Sequence, residues 1–314
     1  MMRSVAAAVL CILTCAAVSA QPVRIRGTRI SLDPPAGFSP APQFAGFQNP
    51  DLQSTIMVTE LPGPASVMKR GMTKTALASR GMTLLESSTA SVDGQDALLL
   101  RVRQAATSGD VLKWMLVAGD QTRTVMVVGT YPPGADAALG EAIKRSLLNA
   151  RLGIGTAAPD PFEGLRFRVT PTPFLKVAGR VNDMLTLTET GTMTPGNADA
   201  ALYFVGHSLG PVAIGDLRQF SETRLAQTTR TRGITDITGR PTRLDGLEAY
   251  ELEADAIDAQ TGRRIHIYQI IAPDPGGYYI IQGIVSLTRA TAVVPEFKAV
   301  TRTFKLLDSG EARR

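Results

Sequence analysis

Gly206-His207-Ser208-Leu209-Gly210 fits G-x-S-x-G, the strand-to-helix elbow on which a hydrolase exposes a nucleophilic serine. Its setting agrees, since Ala201-Leu202-Tyr203-Phe204-Val205 reads as a buried strand before it and a helix is expected after it. A serine hydroxyl needs a base to take its proton, and the base needs a third group to orient it. His266 would be that base and Asp216, Asp236 or Asp245 the acid, in the chain order Ser, Asp, His. Against this stand three features. With 29 glycines in 314 residues, the match is not rare enough to override context. Ile265 to Ile271, around His266, reads as a strand, whereas a hydrolase histidine sits on a late loop. The parallel strands that should precede an elbow are missing. An esterase-like serine hydrolase is therefore the alternative reading, and no catalytic residue is expected.

Other chemistry-bearing patterns are weaker. Ser66-Val67-Met68-Lys69 fits S-x-x-K, in which a lysine assists an acyl-accepting serine, but no S-D-N or K-T-G partner accompanies it, and it reads as a helix start. His207 and His266 stand 59 positions apart with no cysteine beyond Cys15, which does not make a zinc set. His266 is expected to be a satisfied or partly exposed strand histidine. Trp114, the single tryptophan, sits among Leu112, Met115 and Leu116 and belongs to a core. P-loop, EF-hand and dinucleotide fingerprints are absent, so neither a cofactor nor a metal is expected.

Residues 1–20 open with Arg3, continue uncharged from Ser4 to Ala17 and close on Val18-Ser19-Ala20 before Gln21, the pattern of a secretory signal peptide cleaved after Ala20. The apolar core is shorter than the ~20 residues a spanning helix needs. Cys11 and Cys15 both fall inside it, so a mature chain from Gln21 has no cysteine. Ile12-Leu13-Thr14-Cys15 faintly resembles a lipobox, which makes an envelope lipoprotein acylated at Cys15 a third alternative. Thr14 is bulkier than the small residue normally found there. Periplasmic or secreted location follows, with no transmembrane anchor in the mature chain.

Charge gives little direction. The chain has 33 basic and 28 acidic residues, a net +5, of which Arg3 supplies one and residues 21–152 the other four. Arg24, Arg26 and Arg29 alternate near the mature start and could touch phosphates, but nucleic-acid domains carry larger basic clusters with interleaved aromatics. A solvated first strand is expected, and no nucleic-acid partner.

An internal repeat organises everything that must position these residues. Gly27–Pro34 reads against Gly164–Pro171, each an alternating strand stopped by proline. Met57-Val58 and Gly63-Pro64 match Phe204-Val205 and Gly210-Pro211; Arg80-Gly81 matches Arg232-Gly233; Asp93-Gly94 matches Asp245-Gly246; Val128-Gly129-Thr130 parallels Gln282-Gly283-Ile284. The offset drifts from 137 to 154 without breaking order. In this alignment Ser208 faces Leu61 and His207 faces Glu60, so the first copy shows the elbow as an ordinary connection.

Each copy reads as short strands, ending at Thr55–Thr59 or Ala201–Val205, then a helix starting near Pro64 or Pro211, where proline suits the first helical position. Met68, Met72 and Ala76 share a face of the first helix, and Ile214, Leu217 and Leu225 a face of the second. Hairpin strands follow, joined in the first copy by Asp93-Gly94 and Gly119-Asp120, and a last helix, Ala135–Leu148 or Val294–Phe304, closes each copy. The expected fold class is α+β: two tandem domains, each a central antiparallel sheet flanked by helices in an α/β/α sandwich. The divisions are a signal peptide (1–20), copy one (21–152), a Gly/Ala/Pro-rich linker (153–161), copy two (162–307) and a tail (308–314).

This order, with the opening strand running into Pro35-Ala36-Gly37-Phe38, resembles the PsbP-like family, once per copy. Copy two departs at Pro171-Thr172-Pro173-Phe174. The resemblance implies a fold and an accessory or binding role, and supplies no catalytic residue; metal sites of photosynthetic relatives do not transfer, because no matching His/carboxylate cluster occurs. The leading expectation is an exported, non-enzymatic binding protein with a macromolecular partner or small ligand. Its contact surface would be the inserted loop Met193-Thr194-Pro195-Gly196-Asn197.

Overall fold

The computed structural model describes residues 22–106, 109–192 and 199–307. The expected signal peptide with Cys11 and Cys15, the Met193–Asn197 loop and the 308–314 tail lie outside the described residues.

The first half opens with a ribbon of β1 (Val23–Arg24) and β2 (Ser31–Leu32). Then come β3 (Ser39–Pro40), β4 (Gly46–Asn49), β5 (Ser54–Pro62), the short helices α1 (Ala65–Gly71) and α2 (Lys74–Ala78), β6 (Met82–Val92), β7 (Gln95–Ala106), β8 (Gly109–Gly119), β9 (Arg123–Tyr131) and α3 (Asp136–Leu148). The second half repeats the plan: β10 (Phe167–Arg168), β11 (Lys176–Val181), β12 (Met184–Thr188), β13 (Leu202–His207), α4 (Leu217–Ala226), β14 (Thr231–Leu244), β15 (Leu247–Asp258), β16 (Arg264–Asp274), β17 (Gly277–Ser286), α5 (Ala290–Arg302) and β18 (Lys305–Leu306).

Each half holds one seven-stranded antiparallel sheet, ordered β3-β4-β5-β9-β8-β7-β6 and β11-β12-β13-β17-β16-β15-β14. The strand order is the same in both, so the duplication extends from sequence to topology. It extends to single pairs as well. Ser31 bridges Arg151 after the closing helix of the first half, and Arg168 pairs with Lys305 after that of the second.

The turns explain the register. Asp93 and Gly94 take φ of 50° and 75°, and Asp245 and Gly246 take 44° and 89°, the left-handed pair that a two-residue hairpin requires. Both aspartates also reach beyond the turn. Leu152 donates its N–H to Asp93 at 2.8 Å, and Leu306 donates to Asp245 at 2.8 Å, while Lys305 Nζ lies 2.6 Å from the same carboxylate. The Lys305 hydrogen bond, then the Leu306 amide, hold the Asp245 carboxyl below its ordinary range. A depressed carboxylate contributes stability above its unfolded pKa and loses it as pH falls through the folded value. Asp245→Asn is therefore expected to flatten the acid limb of the urea-midpoint-against-pH curve, with wild type and variant converging at low pH.

Apolar residues line both sheet faces, because helices cover both. In the first half Leu99, Trp114, Leu116 and Val127 pack with Leu139, Ile143 and Leu147 of α3, while Leu100, Val102, Met115 and Val117 pack with Met72 and Leu77. In the second, Tyr203, Tyr268 and Ile281 pack with Phe297 and Val300 of α5, while Leu252, Ile265 and Ile267 pack with Leu225 of α4. Strands outweigh helices throughout, so the architecture is mostly β.

Several elements differ from their sequence-based expectation. The opening strands Gly27–Pro34 and Gly164–Pro171 stay outside the seven-stranded sheets, contributing only β2 and β10. The first helix breaks at Met72–Thr73, where Thr73 caps α2 by accepting the Ala76 N–H at 3.1 Å. No helix starts at Pro211: Gly210 and Gly215 flank an irregular segment, and the helix begins only where Asp216 can cap it, accepting from Gln219 N–H at 2.9 Å. Ile214 accordingly lies outside α4. The last helix starts at Ala290 rather than Val294, with Pro295 inside it.

Arg24, Arg26 and Arg29 each find an acceptor, although Arg24 stays exposed. Arg24 pairs with Glu163 of the second half, Arg26 donates to Ala41 O at 3.2 Å, and Arg29 pairs with Glu60 at 3.1 Å. Across the same seam lies the buried pair Arg180–Asp183, 2.8 Å apart, whose guanidinium rests on Gly27.

Candidate functional site

Ser208 sits one residue past the end of β13. Its N–H donates to Tyr278 O at 2.9 Å, its Oγ accepts from Tyr278 N–H at 3.2 Å, and the hydroxyl donates to Gly210 O at 3.0 Å. Gly277, at φ 142°, provides the room: a Cβ there would lie 2.0 Å from Ser208 Oγ. The hydroxyl thus carries the β13–β17 ladder one step past the His207–Tyr279 pair, and neither histidine is its partner.

His207 points elsewhere. Its Nε2 lies 2.8 Å from Asp274 Oδ1 and its Nδ1 2.8 Å from Ser208 O, with Arg166 3.8 Å from the same aspartate. The repeat gives this cluster its meaning. Glu60, the counterpart of His207, holds Arg29, and Arg166 is the counterpart of Arg29. Both copies use this position to tie an opening-segment arginine to the sheet, directly through Glu60 in one and through Asp274 in the other.

His266 lies at the far end of the sheet. It pairs with Val285, seven residues along β17 from Tyr278, or about 23 Å at ~3.3 Å per residue. Its Nδ1 is 2.8 Å from Asp255 and its Nε2 3.2 Å from Glu253. Of the three acids, Asp216 caps α4, Asp245 holds Lys305, and Asp236 accepts from Thr235 Oγ1 at 3.0 Å. The structure therefore brings none of the hydrolase constellation together. Ser66 and Lys69 are likewise not paired, since Lys69 Nζ turns to Asp96 O at 3.0 Å.

A charge network that motif reading missed surrounds His266. Glu251, Glu253 and Asp255 alternate along one face of β15. Lys298 of α5 lies 2.6 Å from Glu253 and 3.6 Å from Glu251, and Arg240 lies 2.8 Å from Glu251. Burial works to raise the Glu253 carboxyl, yet Lys298 and then His266 hold it below the ordinary range. The first copy has the opposite polarity at these positions. Arg101 stands where Glu253 does, bound to Asp136 at 2.7 Å and Glu86 at 2.9 Å, while Lys144 lies 4.9 Å over the Trp114 ring as Lys298 lies 5.7 Å over Tyr268. Burial, then Asp136, push the Tyr131 phenol up to about 12. Extending the repeat through Ile143-Lys144 and Phe297-Lys298 would have revealed this equivalence. The acids are spent on cations and the histidine; among the described residues no group of three or more His, Cys, Asp or Glu could hold a metal ion.

What remains open is the lip between β13 and α4. Leu209 is 50% and Val212 42% exposed, where the first copy has α1. The lip adjoins the Pro275-Gly276 turn, which Gln43 of the first half touches through Gly276 O at 3.3 Å. This apolar lip is the candidate site, and its arrangement suits contact rather than chemistry.

No family model and no curated protein matches the chain, so the PsbP-like resemblance rests on the residues quoted for it. Among solved structures, the chain is similar to the apo structure of immunity protein TplEi of T6SS from Pseudomonas aeruginosa, at 10% identity over 84% of this chain and 94% of that one, with a TM-score of 0.34. It is also similar to the Tle4-Tli4 complex, at 10% identity over 84% and 95%, TM-score 0.33. A third likeness is to DynU16, a putative protein in the dynemicin biosynthetic locus, at 14% identity over 83% and 96%, TM-score 0.17.

Proposed function

We propose that the protein is an exported, non-enzymatic binding protein of the bacterial cell envelope, built from two PsbP-like copies, which docks a macromolecular partner on the lip around Leu209 and Val212. The supporting observation is the divergence of the copies at this place. Copy one spends Ala65–Gly71 on a helix, on which Val67 is exposed; copy two leaves Gly210–Gly215 irregular, with Leu209 and Val212 exposed. The fold does not demand that change, and loops on a rigid scaffold are where recognition concentrates.

The seam between the halves leaves little room for a small ligand. The space between the halves, bounded by Arg26, Phe44, Phe47, Arg180 and Asp183, is about 120 Å³, below the ~300–1,000 Å³ usual for ligand pockets. The larger depression, about 520 Å³ beside Lys69 and Thr89, is open to solvent. Among the described residues no helix is long and apolar enough to cross a membrane.

Affinity capture from the native envelope with wild type and with a Leu209→Ser/Val212→Ser variant tests the reading: the partner should be lost with the variant while its thermal midpoint stays unchanged. Equal capture by both would sink it. Sequencing the mature N-terminus should return Gln21, whereas acylation at Cys15 would move the protein to the lipoproteins. Ser208→Ala should cost about 1 kcal/mol through the orphaned Tyr278 N–H, with no fluorophosphonate labelling of either form. Labelling of wild type that disappears in Ser208→Ala would restore the hydrolase.

A further inference from the structure

We propose that β6 is a homodimerisation edge, on which a second copy of this chain adds its own β6 in antiparallel register about a two-fold axis at Thr89. This surface is independent of the Leu209 lip. β6 ends its sheet, so one side of the strand is unpaired. The Asp93-Gly94 turn makes Val92–Gln95 the closing hydrogen-bonded pair, and such pairs alternate along an antiparallel ladder. Ala90, Ser88 and Glu86 therefore bond inward to β7, while Ser87, Thr89 and Ser91 turn their N–H and C=O groups to the free side. All three residues are exposed.

The internal repeat supplies the control. The counterpart edge, β14, is guarded in the ways that suppress strand addition. Pro241, four residues before its turn as Thr89 is before Asp93, removes the outward N–H. Arg243 follows two residues on, and the register breaks between Arg232 and Thr235 and again between Thr235 and Thr238. Of the other edges, β3 is two residues long, and β11 carries a register shift at Val177/Gly179 and packs beside β5. β6 has neither proline nor lysine, and its single charge, Glu86, is tied to Arg101. Between the register shift at Leu84/Glu86 and the turn, Glu86 to Val92 forms one uninterrupted stretch.

That stretch is self-complementary. About a two-fold axis at Thr89, Thr89 meets Thr89 of the second copy and Ser87 meets Ser91, so each outward residue exchanges both of its backbone hydrogen bonds. Small hydroxyl pairs of this kind are favourable cross-strand neighbours, and no like charges face each other across the new ladder.

Sedimentation of the full chain over a concentration series should show a species of twice the monomer mass, lost in Thr89→Pro. A Ser87→Lys/Ser91→Lys variant tests the same edge without proline and should also be monomeric. Register is read by cross-linking. In a Cys11→Ser/Cys15→Ser background, Thr89→Cys should oxidise to a disulfide dimer, because residues facing each other in a hydrogen-bonded pair lie about 5.5 Å apart at Cα, within disulfide reach. Ser88→Cys, displaced from the axis, should not. A single-chain mass at every concentration overturns the proposal; so does a dimer that survives both edge variants, or equal cross-linking at positions 88 and 89.

Discussion

Gly283→Val is expected to cost about 3 kcal/mol and to release α5 from the second sheet, the upper end of what overpacking a filled core does. Gly283 pairs with Tyr203 on one side and Tyr268 on the other, leaving a gap between two large rings. Phe297 of α5 fills that gap: a Cβ on Gly283 would stand 2.4 Å from its ring, and the ring is fully buried. The ring cannot retreat, because Tyr203 and Tyr268 lie 5.8 and 6.5 Å away, centroid to centroid. Gly129→Val should behave alike in the first half, where Ile143 fills the gap between Ile56 and Trp114 and a Cβ would stand 2.2 Å from its methyl. Combining Gly283→Ala with Phe297→Leu should recover part of the loss, measured as a double-mutant cycle in urea. Full additivity of the two changes would show that they do not share a cavity.

Asp183→Ala should cost about 3–5 kcal/mol, because it strands the Arg180 guanidinium without its carboxylate in a site where both side chains are 8% exposed. Burial lowers the Arg180 pKa and raises that of Asp183, so desolvation outweighs their mutual attraction. Replacing both, as Arg180→Met/Asp183→Leu, should therefore cost far less than either single loss. The guanidinium also donates to Asn182 O and lies against Gly27, so the single variant should loosen the seam between halves. The measurement is chemical denaturation of Asp183→Ala, Arg180→Met and the double variant; a double variant as unstable as Asp183→Ala would contradict the argument.

The legible parts of the fold were those fixed by local chemistry. Asp93-Gly94 and Asp245-Gly246 specify hairpins through their own positive φ, and the matched Gly129 and Gly283 signalled the repeat before their packing role was visible. What escaped depended on distant partners. The opening segments alternate like strands yet pair only outside the main sheets, with β1 in the first half and with the residues after the closing helices in both. Pro211 looks like a helix start, but the segment between Gly210 and Gly215 has no capping side chain until Asp216. The elbow motif misled for a related reason. A serine after a buried strand and before a helix has the right neighbours in sequence, while the base that would make it reactive depends on where residue 266 lies along another strand. Arg24 and Arg29 read as surface charge because their acids, Glu163 and Glu60, are far away in the chain.

The stitching of each half's beginning to its end has a consequence for biogenesis. Ser31 meets Arg151 and Phe167 meets Leu306, so each unit is a closed circuit whose last knot lies just beyond its final helix. The amino-terminal unit has all its residues in hand while its twin is still being synthesised. Because entry and exit points coincide, either unit should tolerate circular permutation, with new ends opened at the Asp93-Gly94 or Asp245-Gly246 tip and the old ones joined by a short connector.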